Sequence, residues 1–197
     1  MANMRADAVR NRRRLLDAAA AEFAEHGMEV SIARIAARAG IGKGTVFRHF
    51  ATKEQLMAAI LSDQLDALVA RGEELVESAG PGEAVLDFMA AGVRLRSFCV
   101  ALTAEMREEL QVRAASERLA AVAESLTARA RRAGAVRGDV TGHDVLLLIN
   151  AVVQAVAPLG DAAPELWRRY LGLVFDGLRP EAAHPLPVPA PRSLAPD

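Results

Sequence analysis

Apolar residues in this chain recur at intervals of three and four, segment after segment, and nowhere settle into the strict alternation of a half-buried strand. That period places side chains on one face of an α-helix, so the expected fold class is all-α. Leu16, Ala20 and Phe23 make such a stripe in "NRRRLLDAAAAEFAEHG", which Gly27 ends. Ile32, Ile35, Ala36 and Ala39 make another in "SIARIAARAG". Ser31 is placed to cap its start, and Gly40 ends it after two turns. A third short helix runs through "GKGTVFRHF". Met57, Ile60, Leu61, Leu65 and Leu68 stripe a long fourth helix, ahead of which Thr52 and Gln55 have the spacing of a capping box. After the break "AGPG" at 79–82, the pattern predicts helices over 82–96, 98–111, 113–133, 142–157 and 163–178. Gly134 and Gly138 separate two of these, Thr141 can cap the next, and Pro158 and Gly160 separate the last pair. Alanine is about a fifth of the chain and β-branched residues are sparse, which favours helix throughout.

The chain has 197 residues, enough to bury a core in one or two domains. The longest apolar segment, "VLLLINAVVQAVAPL", is interrupted by Asn150, Gln154 and Pro158 and falls short of the roughly 20 apolar residues of a membrane span. No apolar signal core follows the basic "MANMRADAVRNRRR". The single cysteine, Cys99, has no partner for an internal disulfide, and the expected location is a reducing cytoplasm. The tail from 180 to 197, "PEAAHPLPVPAPRSLAPD", holds six of the nine prolines and is expected to be solvated, extended or disordered. A formal net charge of -1 conceals an asymmetry: residues 1–55 carry +4 and the remainder -5. A basic segment on an acidic body suits a polyanion partner, or else a solvated basic face.

The chemistry resides in residues 31–53. A helix-turn-helix needs a small residue where its two helices cross, a glycine where the turn takes positive φ, and an apolar residue packing the second helix onto the core. Ala36, Gly40 and Val46 supply these in order. In that unit the third helix enters the major groove of DNA. Gly42 and Gly44 keep its leading edge thin. Thr45 can donate to a phosphate, and Phe47 can pack on a thymine methyl or sugar. Lys43, Arg34, Arg48, His49 and Lys53 can engage phosphates or base acceptors. Ser31, with the amides that open the second helix, can hold another phosphate. Val46 and Phe50 already supply the inward face, which leaves Phe47 on another.

The stretch "SIARIAARAGIGKGTVFRHFATKEQL", with "AAAAEFAEHG" before it, resembles the TetR family of bacterial transcriptional regulators across residues 10–57. His49, Phe50, Lys53 and Glu54 match its pattern. Phe47 stands where the family usually has tyrosine, removing a hydroxyl contact to phosphate. Ala33 stands where a longer polar residue is common. The resemblance implies an all-helical homodimer with a variable, ligand-binding C-terminal domain. The implied function is a one-component repressor that binds a pseudo-palindromic operator and leaves it when a small, hydrophobic or amphipathic effector binds. An activator, and an adaptor that has lost DNA affinity, are the alternatives. The expected domains are 1–52 for DNA, 53–179 for effector binding and dimerisation, and the tail from 180.

The C-terminal body carries no comparable motif. Leu65, Phe88, Met89, Phe98, Cys99, Thr103, Met106 and Asn150 are the candidate ligand-lining set, methionine-rich and largely apolar. Asn150 and Gln154 share a face of an apolar helix and could meet ligand or a partner subunit. Leu147, Val153, Gln154, Trp167, Leu171, Val174 and Phe175, from the last two helices, are the candidate dimerisation set. No nucleophile–base pair or metal-ligand spacing accompanies His143 and Asp144, so neither an enzyme nor a metal or other cofactor site is expected.

Overall fold

The computed structural model of the protein describes residues 2–26, 29–95, 110–159 and 162–191. Those residues form eight α-helices and no strand. They are α1 (Ala2–His26), α2 (Ile32–Ala39), α3 (Lys43–His49), α4 (Lys53–Ser78), α5 (Pro81–Arg94), α6 (Leu110–Arg132), α7 (Gly142–Val156) and α8 (Leu166–Gly177). Two compact units result: Met1–Gln64 with Ala101–Ala114, and Leu65–Val100 with Ala115–Asp197. α4, expected to lie wholly in the second domain, is one unbroken helix shared by both units. α1 starts nine residues before the expected Asn11, because residues 2–10 contain neither glycine nor proline to stop it. The expected helix over 98–111 and the stop at Gly27 lie outside the described residues, apart from Leu110 and Gln111 in α6.

The first unit buries Leu15, Leu16, Ala19 and Phe23 of α1 with Ile35, Ala36 and Ala39 of α2, Val46 of α3 and Phe50. Ser31 caps α2, its hydroxyl accepting from the Arg34 amide at 3.3 Å. Gly40 closes α2 at φ 64, ψ 34. Its amide donates to the Ala37 carbonyl at 3.1 Å and the Ile41 amide donates to Ala36 at 3.0 Å, a Schellman pair that an L side chain at position 40 would strain. Arg14 of α1 donates to the Ala39 carbonyl at 3.0 Å, binding the same helix end. α4 begins on the expected residues, but the box is offset: the Gln55 amide donates to the Thr52 hydroxyl at 3.2 Å, and the Gln55 side chain accepts from Ala51 rather than Thr52 at 3.0 Å.

In the second unit Leu68, Val69 and Leu75 of α4 share one core with Val85, Phe88, Met89 and Val93 of α5. Leu119, Ala123 and Leu126 of α6, Val145, Ile149, Val152, Val153 and Val156 of α7, and Trp167, Leu171 and Phe175 of α8 complete it. By length and composition alone, Gly142–Leu159 could cross a membrane, with a mean hydropathy of 1.5, but one side of α7 is the centre of this core. Thr141 and Asp144 make the capping box of α7, so the carboxylate that stood beside His143 in sequence is occupied with the Thr141 amide and hydroxyl, each at 2.8 Å. The tail does not leave the body at 180. Pro180–Ala182 form a 3-10 turn, and Arg137, paired with both carboxylate oxygens of Asp139, donates to the His184 carbonyl. Prolines suit this turn because φ is already set there.

α7 opens against α6 at very short range. A Cβ on Gly142 would lie 2.4 Å from the Glu124 backbone nitrogen, and the Gly142 amide donates to the Glu124 carboxylate at 2.7 Å. Only a residue without a side chain permits that approach. Gly142→Ala is expected to cost about 1–3 kcal/mol and to lower the midpoint of a thermal melt by roughly 2–10 °C.

Candidate nucleic-acid interface

The three-residue turn Gly40–Gly42 delivers α3 directly from α2. Gly42 is the N-cap of α3, with φ -63 and ψ 137, and its carbonyl accepts from Thr45 at 2.8 Å and Val46 at 3.3 Å. Val46 is fully buried and Phe50 nearly so, and these two anchor the helix. Between them Phe47 turns outward with 45% of its surface exposed, on the face the sequence assigns to it. Thr45 is half-buried, and Gly42 and Gly44 are exposed. Among the described residues nothing would touch a Cβ at Gly44, and at Gly42 only the Thr45 hydroxyl comes near, at 3.9 Å. No described neighbour demands either glycine. Lys43 opens α3, and Arg48 and His49 close it. Lys53, at the start of α4, holds its ammonium 5.8 Å from the centre of the Phe23 ring.

Ser31 is exposed and engaged as a cap, so its hydroxyl also marks the open amide end of α2. Arg34 is tied down. Its Nε donates to Glu22 of α1 at 2.6 Å, and Nη2 lies 2.7 Å from Nε2 of His26. One turn on, Arg38 donates to both oxygens of Glu25, at 2.6 and 2.7 Å, and to Glu22 at 3.2 Å. This cluster was not among the candidates. The i, i+4 spacings of Glu22 with His26 and of Arg34 with Arg38 were its only sequence trace. Burial pushes the Glu22 carboxyl up, but the hydrogen bonds from Arg34 and Arg38 outweigh it and hold the group below the ordinary glutamate range. The Arg38 hydrogen bond holds Glu25 below that range as well, and Glu25 and Glu22 together raise Arg38.

The candidate ligand and dimer sets divide differently. Phe88 and Met89 are fully buried core residues, Leu65 is half-buried against the same core, and Asn150 is exposed. Phe98, Cys99, Thr103 and Met106 lie outside the described residues. The second unit does have an open depression, but Gly82, Leu86, Gly134, Ala135 and Arg179 line it, with none of the candidate ligand residues. Of the dimerisation set, Val153, Trp167, Leu171 and Phe175 pack into the protomer's own core, which corrects their expected placement on an intersubunit surface. Val174 is half-buried, and Leu147 and Gln154 are exposed. The large apolar residues of these two helices that are exposed are instead Leu147 at 46% on α7, and Tyr170 at 41% and Leu173 at 56% on α8. Arg94 and Arg168 lie over the Trp167 ring at 5.5 and 4.7 Å. Among the described residues no three His, Cys, Asp or Glu side chains gather as metal ligands would.

A capped two-turn helix, a left-handed glycine and an anchored third helix with an outward aromatic define a helix-turn-helix protein. Residues 15–60 match the model of the bacterial regulatory proteins of the tetR family, and residues 80–180 match the C-terminal domain model of SbtR-like transcriptional regulators. A TetR regulatory protein from Mycobacterium vanbaalenii, known by crystal structure, is 34% identical, with 89% of this chain and 99% of that one covered at a TM-score of 0.64. A TetR regulator from Streptomyces coelicolor is 27% identical, with 86% and 98% covered at a TM-score of 0.68. The HTH-type transcriptional repressor KstR2 of Mycobacterium tuberculosis is 45% identical over 65 residues, 32% of this chain and about a third of that curated relative's own length. The chain belongs to the TetR family: it is a DNA-binding transcriptional regulator and not an enzyme.

The sign of the acid response follows from the two depressed carboxylates. A carboxylate whose native pKa lies below its unfolded value of about 4.3 stabilises fully above that value, and the contribution is lost as pH falls through the native pKa. Protection of the α1 and α2 amides, relative to their intrinsic exchange rates, is therefore expected to fall below about pH 4.3, and Glu22→Gln is expected to flatten that dependence, as read by native-state hydrogen exchange.

Proposed function

We propose that this regulator is a repressor that binds a pseudo-palindromic operator as a homodimer and is released by a small, largely apolar effector. The observation that carries the DNA half of this reading is the surface of α3. An exposed Phe47 stands beside Gly42 and Gly44, whose missing side chains no described neighbour in the protein requires. A base edge or phosphate approaching that helix would require them. Thr45, Phe47 and the basic residues Lys43, Arg48, His49 and Lys53 are the proposed contacts, with the Ser31 end of α2 beside them; Arg34, engaged by Glu22, is not counted among them. Phosphate contacts would set register, and Phe47 with Thr45 would read the groove.

Two α3 helices must be about one DNA turn apart to read both half-sites. The exposed Leu147 of α7 and Tyr170 and Leu173 of α8 are proposed to form the subunit interface, with Asn150 and Gln154 at its polar edge. The effector is proposed to bind the second unit and to act through α4, a helix that, like α6, belongs to both units. It must prefer the conformation that does not bind DNA, since a ligand shifts an equilibrium only by its differential affinity.

Fluorescence anisotropy against DNA from beside its own gene, across a salt series, tests the DNA half. Tight, salt-sensitive binding to one fragment is expected, with Phe47→Ala weakening it on the order of tenfold. Equal, salt-insensitive affinity for every fragment tried would move the adaptor reading to the front. Light scattering at micromolar concentration should give a dimer, and Leu173→Arg should give a folded monomer with weakened operator binding.

A further inference from the structure

Arg34 and Arg38 lie four residues apart on one face of α2, and both are answered by carboxylates of α1. The usual arrangement is inverted: the acid is inside and the bases outside. The Glu22 side chain is 6% exposed, against 55% for Arg34 and 36% for Arg38. A buried carboxylate is costly unless charge and hydrogen bonds compensate it, and here two guanidiniums do. His26 completes the enclosure. A guanidinium only donates, so Nε2 of His26 accepts from Arg34, and Nδ1 carries the ring proton 3.3 Å from Glu22 Oε2. The cluster is not all that joins α1 to α2, since Leu15 and Phe23 of α1 and Ile35 and Ala39 of α2 are buried and Arg14 binds the α2 terminus.

We propose that Glu22 is a specificity-determining residue for DNA binding. By neutralising Arg34 and Arg38, it keeps two exposed guanidiniums beside the α2 entrance from acting as sequence-blind phosphate contacts. The inference rests on the reading of α2 and α3 as the DNA face. Arg34 is in the first turn of α2, its amide bonded to the Ser31 cap, so its guanidinium is close to where a phosphate would meet that helix end. Sequence-independent affinity scales with the number of phosphates neutralised. A carboxylate that internally satisfies an arginine therefore lowers binding to any duplex, while contacts made by α3 to bases are untouched. Glu22 acts through the arginines, so it is a positioning residue.

The test measures binding of the full chain to a random-sequence 30-base-pair duplex, at about 50 to 200 mM salt. Wild type, Glu22→Gln, Arg34→Gln and the double variant are compared, beside the fragment wild type selects most tightly from a random pool. Glu22→Gln is expected to bind the random duplex more tightly at low salt. Its log–log salt slope should steepen by about 1, an additional loss of about threefold across that range, and its preference for the selected fragment should fall. In the Arg34→Gln background, Glu22→Gln should move the slope much less. Glu25→Gln, at the half-exposed end of the cluster, should give a smaller change in the same direction through Arg38 and serves if Glu22→Gln does not melt cooperatively. Unchanged or shallower slopes in a folded Glu22→Gln, or in Glu25→Gln should that one be needed, would overturn the proposal while leaving operator binding intact. A wild type that binds neither duplex would overturn the DNA reading itself.

Discussion

The left-handed backbone at Gly40 is the constraint on which the DNA-facing unit depends. It ends α2 after eight residues and turns the chain within three, and its two Schellman hydrogen bonds satisfy carbonyls that would otherwise be stranded at a buried helix end. Arg14 of α1 satisfies the Ala39 carbonyl at the same helix end. With the turn set, Val46 and Phe50 reach the core, and Phe47 must face out. The direction of α3 therefore follows from the left-handed backbone at Gly40 and two apolar anchors, Val46 and Phe50.

Electrostatics in the first unit are organised around burial rather than surplus charge. The N-terminal 55 residues are basic by four charges, yet the two arginines of α2 are internally neutralised by Glu22 and Glu25. A count of charges overstates the field that a polyanion would meet on this side of α2.

The second unit is governed by close approach. Gly142 lets α7 start against the backbone of α6, and its amide is held by Glu124, which also pairs with Arg131. Arg137 then fastens the segment after α8 through the Leu178 and His184 carbonyls. Hydrogen bonding holds Asp139 below its ordinary range for the same reason that it serves this clip, the guanidinium of Arg137 lying against both its oxygens. These contacts fix α7 and α8 from their ends, while Leu147 of α7 and Tyr170 and Leu173 of α8 stay exposed.

Local chemistry was legible in the residues themselves. The three-and-four period, Ser31 and Thr141 as caps, Gly40 as the left-handed stop and Phe47 on a face apart from Val46 and Phe50 all depend on neighbours within a turn or two. The same local pattern carried the family resemblance over residues 10–57. What depended on pairs far apart was not legible. Periodicity marks α7 and α8 as apolar without saying which side meets the protomer's own core, so Val153, Trp167, Leu171 and Phe175 read as a surface and are interior. Glu22 reads as one more solvated acid on α1 until the crossing of α1 and α2 brings it to Arg34, twelve residues on, and buries it. The prolines after 179 read as a free tail until Arg137 reaches His184, 47 residues away. Sequence determined most of the described helices, the caps at Ser31 and Thr141 and the turn at Gly40, because those are fixed by local backbone and side-chain energetics. Only the tertiary structure decided which faces are covered and which charges are satisfied, because both are set by the angles at which helices remote in sequence pack.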